Sequence, residues 1–242
     1  MFTSIKVLGL LAIAFSSTSA LPIEVRDKQK TYSGGGVNLT NKGATKQTFN
    51  FFDNIANGVG TAEPDYKNYL KFDGDINTVG PGKTVFIPLY DEFKGRIQRG
   101  TELPATFVEI NIKASGVGPN QDGKGHGNIS LQQGCDGAAT VKSTTNKSNG
   151  GFTQDVLTGA PEEAFAKDDV WGGGKEILKD GKKVLGSTMG NWSQKPNAAA
   201  VEWLKSKKVP ANKVYYLNDA WNSGSGVEDV STDNGVFDVT FY

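Results

Sequence analysis

Alternation of hydrophobic and polar positions predicts that this chain is built mainly from short β-strands. The clearest alternation runs over 107–112, where Val108 and Ile110 fall on one face and Glu109 falls on the other. Similar stretches, bounded by glycine, proline and asparagine, indicate further strands. These are predicted at 36–40, 46–52, 84–89, 95–99, 128–132, 138–141, 214–217 and 236–241, with a shorter one at 69–72.

Helical patterns occur between about 150 and 210, after a polar stretch at 143–151. Pro161, followed by two acidic residues, predicts a short helix over 161–167. Asn197 can cap a second helix over 197–207, whose Trp203 and Leu204 share one apolar stripe. The predicted fold class is mainly β: an antiparallel β-sandwich with a helix-containing insertion at about 150–210.

The first twenty residues have the three parts of a secretory signal peptide. Lys6 supplies the positive start, 7–15 form an apolar run too short to span a bilayer, and Ala20 ends a small-residue cleavage site. Residues 21–31 are expected to be a propeptide or a disordered lead, and 32–242 the folded unit. The protein is therefore expected outside the cell, free or held in a cell wall.

Four glycosylation acceptor sequences agree with a secreted protein. They begin at Asn38, Asn128, Asn146 and Asn191. The single cysteine, Cys135, excludes an internal disulfide. It is expected to be a buried, inert thiol, with an intermolecular disulfide as the alternative.

Composition excludes several classes of function. Without residues 1–20, 25 basic and 26 acidic side chains remain, so neither nucleic acid nor an anionic membrane is an expected partner. With one histidine, His126, and one cysteine, the chain offers no zinc site. No metal or cofactor is expected, and the protein is predicted to be a monomer.

Several short sequence segments follow one another in the order found in a known protein family. Residues 99–112 read Arg-Gly-Thr-Glu-Leu-Pro-Ala-Thr-Phe-Val-Glu-Ile-Asn-Ile, a proline-bearing loop that leads into a strand. Related segments lie at 37–43, 81–87, 95–99, 127–134 and 237–241. In this order they resemble the thaumatin-like (osmotin) family over roughly 35–142 and 230–242. Members of that family are usually rich in disulfides, so the chain resembles a divergent branch that lacks them.

The resemblance implies a site. In the family, an acidic cleft of one arginine, one glutamate and three aspartates is linked to β-1,3-glucan binding and sometimes to hydrolysis. Glu109 matches the glutamate and Arg99 the arginine, whereas Asn128 and Gln133 stand at two of the aspartate positions. Amides bind sugar hydroxyls but cannot ionise, so the resemblance implies a carbohydrate-binding cleft more than a hydrolase.

Two alternatives to a sugar-binding cleft stay open at this point. Asp136 could supply the second carboxylate of an endo-β-1,3-glucanase in which Glu109 is the acid. Conversely, Glu109 could be a strand carboxylate in an ordinary cross-strand ion pair. The protein would then be a secreted structural or interaction protein without a sugar site.

Three tryptophans lie in polar surroundings rich in glycine or asparagine. They are Trp171, Trp192 and Trp221. Aromatic faces in loops can serve as platforms for sugar rings, because the ring is apolar and carries a polar N–H at one end, the property that enriches tryptophan at interfaces. The alternative is that they anchor long loops to the core. The leading hypothesis is thus a secreted, glycosylated protein that binds a polysaccharide, most simply a β-glucan.

Overall fold

The computed structural model of the chain describes residues 30–53, 69–113, 122–168, 174–190, 195–217 and 226–242. The predicted signal peptide, nearly all of 21–31, the acceptor Asn191 and the tryptophans Trp171, Trp192 and Trp221 lie outside the described residues.

The described ranges form thirteen strands and one α-helix, so the predicted mainly β fold class is confirmed. The strands are β1 (Gly36–Asn41), β2 (Gln47–Phe52), β3 (Thr78–Val79), β4 (Thr84–Pro88), β5 (Lys94–Arg99), β6 (Phe107–Asn111), β7 (Gly125–Ser130), β8 (Ala139–Ser143), β9 (Asn149–Gly151), β10 (Leu178–Lys179), β11 (Lys182–Lys183), β12 (Val230–Thr232) and β13 (Val236–Phe241). The helix is α1 (Ala198–Ser206).

Two sheets make up the sandwich. The first has five strands in the order β4-β1-β13-β8-β9, and the second has six in the order β12-β7-β6-β5-β2-β3. Neighbouring strands are antiparallel except β1 and β13, which run parallel. The short strands β10 and β11 form a separate hairpin.

The core lies between the sheets, and one continuous hydrophobic cluster takes residues from both. Leu39 and Val239 enter it from the five-stranded sheet, and Val108 and Ile129 from the six-stranded sheet. The rings of Phe49 on β2 and Phe241 on β13 meet with centroids 4.7 Å apart. Period-two alternation fixes which face of each strand enters this core, so the remaining faces of both sheets point away from it.

The insertion contains only one of its two predicted helices. Helix α1 begins after Asn197, whose side chain accepts a hydrogen bond of 2.9 Å from the backbone N–H of Ala200, as a capping residue should. Its Trp203 donates from Nε1 to the carbonyl of Val156 at 2.7 Å, which fastens the helix to the preceding loop. The apolar stripe and its cap are therefore confirmed.

The helix predicted over 161–167 is wrong. Only a 3₁₀ turn forms, over Glu162–Ala164, and the backbone at Phe165 is extended. Phe165 makes a β-bridge with Leu185, and the N–H of Ala166 donates to the carbonyl of Val184 at 2.8 Å. Pairing with this neighbouring segment gives the backbone N–H and carbonyl groups the hydrogen bonds that a helix would otherwise have supplied.

Three of the strand predictions differ from the structure. The strand predicted at 128–132 runs instead over Gly125–Ser130, because its first three residues pair with β12. The stretch 143–151, read as a polar linker, contains β9. The strand predicted at 214–217 is reduced to one bridge between Tyr215 and Ser130.

Cys135 is buried, as predicted. Burial raises the pKa of its thiol to about 11, and the hydroxyl of Thr106 approaches the sulfur at 3.5 Å. A thiol with so high a pKa is protonated at neutral pH. It therefore has little nucleophilic character.

Candidate functional site

A line of polar side chains crosses the outer face of the six-stranded sheet. Arg96 on β5 is the register partner of Glu109 on β6, and Glu109 is in turn the register partner of Asn128 on β7. We call these three residues the polar row. At its far end lies Asp229, directly before β12, the strand that pairs with β7. Four neighbouring strand segments thus bring four polar groups together.

Strand alternation explains why this row faces outwards. The neighbours Ile97, Val108 and Ile129 are fully buried in the sandwich core. Successive side chains along a strand point to opposite faces, so the polar row must lie on the other side of the sheet. The sheet therefore supplies a rigid base for these polar groups.

Glu109 is the electrostatic centre of the site. Its half-buried position raises the pKa of its carboxyl group, and the negative charge of Asp229 adds to this effect. A hydrogen bond from Asn128 and the charge of Arg96 act in the opposite direction, and the resulting pKa is about 7 instead of 4.5. Glu109 is consequently a neutral acid below pH 7 and a carboxylate above it.

Arg96 is fully buried and held in one orientation. Its guanidinium lies between two aromatic rings, 4.0 Å from the centroid of Phe52 and 4.7 Å from that of Phe107. Its Nε donates to Oε1 of Gln98 at 2.9 Å. Stacking and hydrogen bonding together fix the plane of the cation beside Glu109.

Further buried amide groups lie on β7 and in the turn that follows it. In the described part of the chain, Oδ1 of Asn128, Nε2 of Gln132 and both polar side-chain atoms of Gln133 are buried without a hydrogen-bond partner. Ser130 lies between Asn128 and Gln132: it is the next residue of β7 on the same face as Asn128, and its hydroxyl lies 3.4 Å from Oε1 of Gln132. Such groups are costly to bury unless a water or a ligand pairs with them.

Arg99 is not part of this row. It lies three residues after Arg96, at the end of β5, and its guanidinium contacts Asp136 at 2.8 Å. The same guanidinium donates to the carbonyl groups of Ala138 and Tyr242. The arginine that faces Glu109 is therefore Arg96, and the assignment of Arg99 to this role is corrected.

Asp136 is likewise occupied elsewhere. Its side chain is 3% exposed, and its carboxylate binds Arg99 at 2.8 Å and Lys179 at 2.6 Å. The backbone N–H of Thr106 donates to the same carboxylate at 3.1 Å. Burial acts to raise the pKa of Asp136, but the charges of Lys179 and Arg99 outweigh it and hold this pKa below its usual range. The carboxyl group beside Glu109 is that of Asp229, which corrects the pairing of Glu109 with Asp136.

The sequence contained a signal for one of the two missed residues. A hairpin between the predicted strands 95–99 and 107–112 brings position 96 near 109, so Arg96 was a candidate, and the observed register makes it the partner of Glu109. Asp229 had no such signal, because β12 is three residues long and lacks a recognisable alternation. Gln133, predicted for the cleft, lies in the turn after β7, where its carbonyl accepts from the N–H of Ala105 at 3.3 Å.

The predicted glycosylation acceptors occupy different settings. Asn38 lies within β1 on the outer face of the five-stranded sheet, and Asn146 lies in the exposed turn between β8 and β9. Asn128 belongs to the polar row, and its side chain hydrogen-bonds to Glu109.

No protein-family model matches the chain, and no curated protein matches it either. Within the described ranges, no group of three or more histidine, cysteine, aspartate or glutamate side chains is arranged to hold a metal ion. No helix in the same part of the chain is long and apolar enough to cross a membrane.

Proposed function

We propose that this is a secreted, glycosylated polysaccharide-binding protein of the thaumatin-like type, and that β-1,3-glucan binds across the polar row. The observation that carries the proposal is the alignment of Arg96, Glu109 and Asn128 on adjacent strands, with Asp229 at the end. The sequence segments that resemble the thaumatin-like family supply the ligand class. The signal-like first twenty residues supply the location.

The chemistry of the polar row suits sugar hydroxyl groups. The half-buried carboxylate of Glu109 accepts hydrogen bonds, and the amide of Asn128 both donates and accepts them. The fully buried Arg96 lies beside Glu109 and contributes its positive charge. Oδ1 of Asn128 is a buried acceptor without a partner among the described residues, so a sugar hydroxyl would satisfy it. Tyr215, whose hydroxyl lies 3.4 Å from Asp229, adds a half-buried aromatic side chain at the edge of the row.

A second candidate, glycoside hydrolysis, rests on the raised pKa of Glu109 and on a second carboxyl group beside it. Hydrolysis of a glycosidic bond needs one protonated acid and one ionised carboxylate. With a pKa of about 7, Glu109 can hold a proton near neutral pH, and the negative charge of Asp229 contributes to that raised pKa. In this alternative Glu109 protonates the leaving oxygen, and Asp229 acts as the nucleophile or base.

Glycosylation at Asn128 would conflict with either function. Its side chain is bound to Glu109, and a glycan there would cover the polar row. We therefore propose that Asn128 stays unmodified in the active protein. The acceptors Asn38, Asn146 and Asn191 remain as the glycan sites.

One experiment separates the candidates. The protein, produced by a eukaryotic secretory host, is incubated with insoluble β-1,3-glucan, chitin and cellulose, and both retention and release of reducing sugar are measured. Retention on glucan without sugar release is the expected result. Sugar release that is lost in both E109Q and D229N would establish the hydrolase instead. A protein that binds none of the polymers would refute both and leave the structural or interaction protein.

A further inference from the structure

The outer face of the five-stranded sheet places an acceptor asparagine, Asn38, beside an aromatic ring. Asn38 on β1 has Phe86 on β4 as its register partner on one side and Asp238 on β13 on the other. Its Nδ2 donates to Oδ1 of Asp238 at 2.8 Å. Thr40, the third residue of the acceptor sequence, lies on the same face and shares a 2.7 Å hydrogen bond with Thr84.

Phe86 presents a partly exposed apolar ring on the outer face of the five-stranded sheet. It is 46% exposed, although it lies in the middle of a strand. The ring leans towards Gly36, where a Cβ atom would lie 2.9 Å from its Cζ. Because Gly36 has no side chain, the ring and the neighbouring Asn38 share one open strip of the sheet. A single exposed ring is ordinary on a protein surface, and what distinguishes this one is the acceptor asparagine that is its register partner.

We propose that an N-linked glycan on Asn38 covers this strip, with its first N-acetylglucosamine packed against the ring of Phe86. The inference rests on the secretory location proposed above. The occupant is a pyranose because an acceptor asparagine stands directly beside the ring, and the C–H face of the sugar matches the apolar face of the phenyl group. The glycan would therefore be a structural part of the sheet surface.

The attachment uses one of the two amide hydrogens of Asn38. A lipid-linked oligosaccharyl diphosphate donates the sugar: the C1–O bond to the diphosphate breaks, and a C1–N bond to Nδ2 of Asn38 forms. Nδ2 loses one proton and keeps one hydrogen. That remaining hydrogen is the one that the glycosylated side chain has to donate to Asp238.

Asn146, the other described acceptor outside the polar row, provides a contrast. Its Nδ2 donates to the carbonyl of Ser231 at 2.9 Å, and its Oδ1 accepts from the N–H of Ser148 at 2.8 Å. These bonds hold it in a turn, and none of the exposed large hydrophobic residues is its register partner. A glycan on Asn146 is therefore expected to extend into solvent without changing stability.

The test compares one sequence with and without the glycan. A chain with N128Q, N146Q and N191Q, which leaves Asn38 as its only acceptor, is secreted from a eukaryotic host and also produced in bacterial cytoplasm. Bacterial production is preferred to enzymatic removal, which would turn Asn38 into aspartate beside Asp238. Intact mass gives the occupancy, and thermal unfolding gives Tm. The same pair is prepared with F86T and with F86Y.

The glycosylated protein is expected to have a Tm roughly 2 to 4 °C higher than the bare protein. The increment should vanish in F86T and persist in F86Y. An increment that persists unchanged in F86T overturns the packing, and secreted protein without a glycan on Asn38 overturns the site. In either case, glucan binding by the wild-type secreted protein, which keeps Asn128, leaves the proposed function standing. A chain that never enters the secretory pathway overturns both.

Discussion

Replacing Glu109 with glutamine tests the electrostatics of the polar row. Glutamine has nearly the same shape and still accepts hydrogen bonds, but it cannot ionise. The substitution therefore removes one negative charge beside Asp229 and leaves the sheet register unchanged. Any change in stability that varies with pH then reports the titration of Glu109.

The raised pKa of Glu109 sets how much the free energy of unfolding should change with pH. The pKa of Glu109 is about 7 in the folded protein against 4.5 for an unperturbed glutamate. Between these values the folded state binds more protons than the unfolded state, so the free energy of unfolding falls as pH rises. A difference of about 2.5 pKa units corresponds to about 3 kcal/mol. This stability is fully present below pH 4.5 and lost as pH rises through 7.

The assay is urea unfolding of the wild-type protein and E109Q at several values between pH 4 and 8. Relative to wild type, E109Q should gain about 3 kcal/mol across this range. The exposed Glu163 provides a matched control, since E163Q measures the general effect of removing a glutamate charge. A constant difference between E109Q and wild type over the whole range would refute the proposed electrostatics.

Three other substitutions test contacts that hold the fold together. D136N leaves Arg99 and Lys179 without their carboxylate and should lower the free energy of unfolding, measured in urea at pH 7, by about 3 to 5 kcal/mol. The difference between D136N and wild type should shrink in acid, as the pH falls through the lowered pKa of Asp136 and the wild-type carboxylate is protonated. N197A removes the helix cap and should lower the free energy of unfolding by about 1 kcal/mol, whereas an unchanged value would contradict the observed capping bond. G95A would push a Cβ into a backbone carbonyl of the neighbouring strand and should cost about 3 kcal/mol or more, so normal stability would show that the strands are not so close.

Much of the sandwich could be predicted because one face of each long strand is buried. In β6 and β13 the alternation of core and outward residues is regular, and the predicted bounds of both strands agree with the structure to within one residue. The insertion was harder, because pairing with Leu185 turned a predicted helix at Phe165 into extended chain. Local propensity at that point is overridden by tertiary contacts.

The site was only partly predictable for a related reason. Glu109 and Asn128, both predicted for the cleft, are register partners, but the residue that faces Glu109 from β5 depends on the exact register of β5 against β6. Arg99 matched a motif, yet its position at the strand end directs it to Asp136, and Arg96 faces Glu109 instead. Asp229 reaches the row through β12, a strand too short to recognise by alternation.

The central claim is that a polysaccharide binds across the polar row, and calorimetric titration with a soluble β-1,3-gluco-oligosaccharide tests it most directly. Wild type, N128A and K142A are compared; Lys142 is exposed on β8 of the other sheet and serves as the control. We predict saturable binding to wild type and K142A, and at least about tenfold weaker binding to N128A, the equivalent of 1.4 kcal/mol. Equal affinity for all three proteins, or no binding to any, would contradict the proposed function of this face.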